Sequence, residues 1–361
     1  MTGEPPDPSR APVHRRGGGP GLWESLMWVS GFHVAQTLAA ALLILGLVLA
    51  AFEGLPPDAA ALVRVAREFV NGNFGWLMIA VTGSATLGAL FLIVPAVFWR
   101  LRPAPREALG THWPQPRQLV LLAGAVLPLG ILSDELYRGA SVWSQHVGQW
   151  LVERWPVLAE FSGQFDTITL IQQQSESTAY PLLLVIVGLG PAIGEEVVFR
   201  GLIGRGLIAR WGMVGGVLLT SLLFAAAHLS PAHAIATLPI AVFLHVAYLA
   251  TGSIGAPIFV HFLNNALSVT MMKYSLGQNV QVSLVLLVWA ALSVAVTGAL
   301  LLRERATGSA APSARRPTPL LTLPPADSAS ALSATPRWLV IAAGSGVLGF
   351  TCTFVASAAG G

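Results

Sequence analysis

Runs of apolar residues, each near the length of a bilayer crossing, divide this chain, and polar residues gather in the gaps between them. The runs are Leu26–Phe52, Phe74–Trp99, Gln118–Ser133, Ala179–Gly194 continuing to Arg200, Trp211–Leu229, Ala232–Thr251, Ile254–Lys273 and Val280–Leu302. A ninth, Trp338–Ala358, stands alone near the C-terminus. A helix needs about 20 mostly apolar residues to cross the hydrocarbon core. Lipid offers no hydrogen bonds to open backbone, so such segments are helices or strands of a closed barrel. Continuous runs without strict alternation exclude the barrel. The pattern predicts an all-α, polytopic integral membrane protein with about 8 core transmembrane helices plus a tethered C-terminal helix.

The gaps define the remaining organisation. Residues 1–25 read as a disordered basic cytoplasmic tail, rich in Gly, Pro and Arg. The apolar run that follows is too long for a signal-peptide core and reads as an anchor. Residues 26–303 form the multi-span membrane domain, with a candidate catalytic core at 179–273. Residues 304–336 are a low-complexity linker of Pro, Ser, Ala and Thr, and 337–361 hold the C-terminal transmembrane helix. Between the third and fourth runs, Trp143, Val147, Trp150 and Leu151 recur at i, i+4, i+7 and i+8. That spacing predicts an amphipathic helix lying in the outer interface, a depth that suits tryptophan.

Composition strengthens the membrane assignment. Hydrophobic residues make up 54% of the chain and charged residues 10%, against about 25% charged in an ordinary soluble domain. The net charge of +3 is too small to suggest nucleic-acid binding. The single cysteine, Cys352, permits no internal disulfide and reads as a small apolar helix residue. The arginines carry more information than their sum. They precede the first run (Arg10, Arg15, Arg16), fill the loop after the second (Arg100, Arg102, Arg106, Arg117), and follow the fourth (Arg200, Arg205, Arg210) and the eighth (Arg303, Arg305, Arg315, Arg316). Under the positive-inside rule this alternation predicts a cytoplasmic N-terminus in the plasma or inner membrane, with the acidic stretch Asp134–Gln174 outside.

Three fragments set ionisable groups inside the apolar runs: Glu195-Glu196-Val197-Val198-Phe199-Arg200, Phe224-Ala225-Ala226-Ala227-His228, and His261-Phe262-Leu263-Asn264-Asn265. Each charged group at bilayer depth costs about 2.5 kcal/mol or more, which partners or function must offset. Glu195 and Glu196 point about 100° apart on a helix, so they cannot share one role. Glu196 and Arg200 are at i, i+4 and can meet, which leaves Glu195 free as a general base in a low-dielectric cleft. The alternative is that both glutamates sit solvated at a helix end. Pro191 and Gly194 upstream predict a locally opened helix. His261 and Asn265, again i, i+4, present an imidazole and an amide on one face, and Asn264 points elsewhere. His233 reads as a loop or interface residue, while His245 and His33 read as packing or hydrogen-bonding residues.

Each fragment alone is weak, but together and in this order they resemble the CPBP family, which contains the CAAX-processing endopeptidases and the bacteriocin self-immunity proteins. Glu195, Glu196 and Arg200 match its first motif, Phe224 and His228 its second, and His261 and Asn265 its third. The Thr251-Gly252-Ser253-Ile254 turn is also similar to bacterial members. The resemblance implies an intramembrane endopeptidase acting on a membrane-embedded or lipid-associated peptide or protein. The residues allow a mechanism in which Glu195 activates water with help from His228. His261 and Asn265 then donate to the oxyanion, and Glu196 with Arg200 supports the helix end. A zinc version is open as well, with Glu195, His228 and His261 as three ligands and water as the fourth. The competing classes are a non-catalytic peptide-sequestering immunity factor and a proton-coupled transporter. A transporter should show repeated halves with matching broken helices, and none are visible.

The orientation is directly testable. Cysteines introduced at Ser162 and Arg205 should react with impermeant thiol reagents from opposite sides of the membrane; labelling of both from one side would overturn the assignment through the fourth run.

Overall fold

The computed structural model describes residues 19–51, 58–157, 178–276 and 282–308. The tail before residue 19, the segment around Ser162, and the linker and ninth run lie outside the described residues. No strand occurs among those described. Helix α1 covers Leu22–Ala51. The second run becomes α2 (Ala59–Gly88) and α3 (Val94–Arg100), joined by a π-helical turn at Ala89–Ile93. A short α4 (Pro105–Leu109) leads to α5 (Pro116–Gly124) and α6 (Val126–Arg154). The fourth run starts as α7 (Tyr180–Leu183), opens into a π-turn (Leu184–Leu189), continues as α8 (Gly190–Val198) and opens again (Phe199–Gly204). Then come α9 (Arg205–Ala226), α10 (Pro231–Thr251), α11 (Gly255–Lys273) and α12 (Leu284–Gly308).

Within the described residues all eight core runs fall on helices. Among those residues, six helical stretches are long and apolar enough to span a membrane. The fourth and fifth runs share one of them, Tyr180–Ala226. A straight helix of that length would reach about 70 Å, more than twice the hydrocarbon core. The chain instead reverses at Gly212, whose φ of 73° and ψ of 176° suit glycine alone. Past the reversal, the backbone of Gly216 lies against that of Ile208, with no room for a Cβ. Phe199 and Phe224 stack edge-to-face with centroids 5.1 Å apart, which closes the hairpin. The returning arm from Met213 to Ala226 rises only about 21 Å. It is shorter than a full crossing, and the turn at residues 227–230 joins it to α10.

The polar stretch after the third run also differs from expectation. Trp143, Trp150 and their neighbours are helical, but they continue α6 without a break to Arg154. The 29 residues of α6 extend about 43 Å, so the helix projects beyond a 30 Å core rather than lying along its surface. Helix α11, the seventh run, falls outside the six apolar stretches because it carries His261, Asn264, Asn265 and Lys273.

Contacts between chain ends fix the alternation of the helices. Arg100 donates to Glu24 at 2.9 Å, Arg205 to the Ala108 carbonyl at 2.7 Å, Arg117 to Glu304 at 2.6 Å, and Arg305 to the Leu249 carbonyl. The arginine-rich segments thus share one end of the bundle. Lys273 donates to the Thr178 carbonyl and Tyr180 bonds Thr270, which gathers the start of α7 and the end of α11 at the opposite end. The hairpin and α10 are largely covered by neighbouring helices, whereas α1 and α12 turn most of their surface outward. The core is built on Phe32, Val97, Leu109, Val198, Phe199, Ile203, Phe224, Ala241 and Tyr248.

The reversal yields a stability prediction. Gly212→Ala should cost about 1–3 kcal/mol through backbone strain alone, since no heavy atom crowds the position. Gly31→Ala, in helical backbone with equally open space, should be neutral or stabilising. Thermal unfolding in detergent reads both. Equal midpoints would mean that the chain does not turn at Gly212.

Candidate active site

Pro191 begins the site. A proline at position i cannot donate to the carbonyl at i−4, here Val187, and it distorts the preceding turn. The chain responds with the π-turn at Leu184–Leu189, in which Gly190 donates to Val185 rather than to Ile186. Two carbonyls freed at bilayer depth are then satisfied from neighbouring helices: Thr86 Oγ1 donates to Ile186 O at 3.0 Å and Asn265 Nδ2 to Val187 O at 3.1 Å. Helix α8 enters the bundle centre from this opened turn. There Gly194 lies against the rings and methyls of Phe32 and Ala89, bringing the next residue, Glu195, into the interior.

Glu196 and Arg200 are fully buried, so the solvated alternative does not hold for them. Arg200 Nη1 donates to Glu196 Oε1 at 2.8 Å, and its Nη2 donates to the Ala241 carbonyl on α10 at 2.9 Å. The guanidinium carbon lies 4.3 Å from the centre of the Phe224 ring. Glu196 Oε1 has a second partner, His261 Nδ1, at 2.7 Å across the bundle. A carboxylate only accepts, so His261 Nδ1 carries a proton and its Nε2 faces away. That Nε2 lies 4.0 Å from Glu195 Oε2. The Glu195 side chain is 17% exposed, unlike its neighbour.

His228 occupies the turn between α9 and α10. Its Nδ1 bonds the Phe224 carbonyl at 3.0 Å, which likewise turns Nε2 outward. The Phe224 ring contacts both histidines, with centroids 5.1 Å from His228 and 5.9 Å from His261. His233, read from sequence as a loop or interface residue, packs its ring 4.4 Å from His228. His245 is fully buried with its ring against the Gly204 backbone, a packing role as expected. Asn264 stays apart, and its backbone carbonyl accepts from Ser268 Oγ.

Sequence reasoning missed two things. The first is that His261 reaches Glu196: the link joins residues 65 positions apart, and no spacing rule reveals it. The second is the structural duty of Asn265 toward Val187. Pro191 was the available signal, because a proline within a span announces a freed carbonyl four residues earlier.

The donor set suits zinc only in part. The tautomers suit a metal, since both histidines have Nδ1 engaged and Nε2 turned outward. The positions do not. Tetrahedral ligands at about 2.0–2.1 Å lie about 3.3 Å apart, shorter than the Glu195–His261 separation. Among the described residues no three His, Cys, Asp or Glu side chains come together as a metal-holding group. As arranged, Glu195, His228 and His261 do not form a ligand set.

Residues 177–267 match the family model described as Rce1-like, type II CAAX prenyl endopeptidase Rce1-like. The matched segment, about a quarter of the chain, contains the hairpin, the turn at residues 227–230 and α10, and it ends just past Asn265. No curated protein and no solved structure matches the chain. Helices α1–α6, which pack around this segment, lie outside the match.

The buried ion pair predicts a contrast. Arg200→Ala takes from Glu196 its cationic partner, leaving it only His261, frees one carbonyl in the core, and should cost about 3–5 kcal/mol. Arg100→Ala breaks an ion pair with Glu24 whose side chains are a third exposed, and should cost less than about 1 kcal/mol. Folded yield and thermal midpoint in detergent measure both. Equal small losses would mean that Glu196 and Arg200 are solvated.

Proposed function

We propose that this protein is an intramembrane endopeptidase of the CAAX-processing type, which hydrolyses a peptide bond of a membrane-associated protein or peptide with water activated by Glu195. The observation that carries the reading is the gap between Glu195 Oε2 and His261 Nε2, 4.0 Å wide and held open from behind by Glu196. A water at about 2.8 Å from both atoms bridges that distance with an angle near 90°, an ordinary hydrogen-bond arrangement. Glu195 accepts the proton as the water oxygen attacks the scissile carbonyl carbon, and the proton then passes to the departing amine. The negative charge on the tetrahedral oxygen needs donors. Asn265 retains one N–H beyond its bond to Val187, and His228 and His261 donate through Nε2 when protonated.

Glu196 and Arg200 act behind this centre. Their bond holds His261 in a single orientation, in the manner of a carboxylate that orients a catalytic imidazole. The roles of Glu195, Glu196, Arg200, His228, His261 and Asn265 are thus divided between proton transfer, charge stabilisation and positioning. The arginine-rich end is assigned to the cytoplasm of a plasma or inner membrane, and the site opens toward that side. The substrate on this reading is a membrane-embedded or lipid-associated peptide, and the matched family's description as a CAAX prenyl endopeptidase supports a lipid-associated one.

Cleavage of a prenylated C-terminal CAAX peptide and of an unmodified apolar peptide by the purified protein tests this reading. Glu195→Gln keeps the shape and removes the basic oxygen, so it should abolish product detected by mass spectrometry while leaving the fold intact. Asn265→Ala should depress kcat more than KM, by about 100-fold or more if its amide serves the oxyanion. Activity should survive exhaustive chelation; loss on chelation with recovery on zinc addition would replace direct activation by a metal centre. A peptide-sequestering or transport protein would give no product even as wild type.

A further inference from the structure

A groove of about 470 Å³ runs along α3 to the start of α4, outside the matched segment. It is lined by Val94, Pro95, Phe98 and Trp99 of α3, by Arg102 in the connection, and by Pro105 of α4. Val94, Phe98 and Arg102 follow one another at intervals of four, as do Pro95 and Trp99, so the lining is one face of the chain. That face passes from apolar to basic as it nears the membrane surface. The membrane-spanning stretch Trp76–Arg100 ends within the groove, and Val94 lies about 9 Å deeper than Arg100. Trp99 is 66% exposed, at the interfacial depth that suits its amphipathic ring. The volume falls in the range of small-molecule sites.

The basic end of the groove has no acceptor from the protein. Four other arginines at this end of the bundle are engaged: Arg100 by Glu24, Arg117 by Glu304, Arg205 by the Ala108 carbonyl and Arg305 by the Leu249 carbonyl. Arg102 is exposed, and among the described residues its side chain makes no hydrogen bond or ion pair. We propose that this groove binds one anionic phospholipid, with the upper part of an acyl chain along Val94, Pro95 and Phe98 and the phosphate on Arg102. Five of the six lining residues are apolar, a surface that a free phosphate would leave uncovered. The guanidinium fork matches phosphate oxygens, and a headgroup without a cation of its own leaves that attraction undiminished. Basic sites on the cytoplasmic side of transmembrane helices bind anionic headgroups, and this end is the one assigned to the cytoplasm. The site is independent of the peptidase reading, because it shares no residue with the candidate active site.

Native mass spectrometry of the purified full-length chain in detergent, titrated with dioleoyl phosphatidylglycerol or dioleoyl phosphatidylcholine, tests it. An arginine near the membrane surface contributes about 5-fold to the binding of anionic lipid. One phosphatidylglycerol should therefore bind about 5-fold more tightly than phosphatidylcholine. Arg102→Gln should erase that preference, and Arg102→Lys should keep most of it. Arg117→Gln removes the same charge from the same end but outside the groove, and should leave phosphatidylglycerol binding within about 2-fold of wild type. Millimolar glycerol phosphate, the headgroup without chains, should not displace the lipid. Equal binding of the two lipids by wild type, or an unchanged preference in Arg102→Gln, would overturn the proposal. So would an equal loss in Arg117→Gln, which would assign the binding to diffuse charge, or displacement by glycerol phosphate, which would make the site one for the anion alone. If Arg102→Gln does not fold, Arg102→Met is judged by the same criteria.

Discussion

One carboxylate oxygen organises this membrane domain. Glu196 Oε1 accepts from Arg200 at 2.8 Å and from His261 at 2.7 Å, and so ties α8, the π-turn after it and α11 together at a depth where neither charge could stand alone. Arg200 carries the tie further, to the Ala241 carbonyl on α10 and the Phe224 ring on the returning arm of the hairpin. Five elements therefore converge on one ion pair. Removing water from such a pair is unfavourable, and the geometry compensates by engaging the guanidinium with three partners. What the arrangement secures is the direction of the His261 ring, whose outer nitrogen faces Glu195.

The backbone around the site obeys the same constraint. Helices that open in lipid must have their loose carbonyls bonded by other helices. Here Pro191 opens the fourth run, and Thr86 and Asn265 close the account of hydrogen bonds across the bundle. The fold also returns a short arm into the bundle, where it ends in a turn bearing His228. Irregular backbone is tolerated there because α1, α10 and the hairpin surround it. The chemistry and the irregularity coincide because the groups that a reaction needs are those that a regular lipid-facing helix cannot carry.

Much of this was legible in the sequence, for identifiable reasons. Apolar runs report helices because lipid leaves the backbone no other choice, and within the described residues all eight core runs fall on helices. The i, i+4 spacing of Glu196 and Arg200 forecast their bond, since it is a local relation along one helix face. Run length alone could not reveal that Gly212 folds the fourth and fifth runs into a hairpin with a short second arm; only the backbone angles show that. Nor could periodicity distinguish a separate interfacial helix from the continuation of α6 to Arg154. The His261–Glu196 bond was invisible for a different reason: it joins distant positions, and tertiary packing alone brings those positions together.

The central claim is that Glu196 fixes His261 with a proton on Nδ1 and Nε2 turned toward Glu195. Histidine-selective nitrogen-15 NMR of the purified protein, with His261→Gln to assign the resonance, measures this directly. The account predicts that His261 Nδ1 is protonated and hydrogen-bonded, and that this signal collapses to that of a freely averaging ring in Glu196→Ala. A His261 ring with a bare Nδ1 and its proton on Nε2, unchanged by loss of the Glu196 carboxylate, would contradict it.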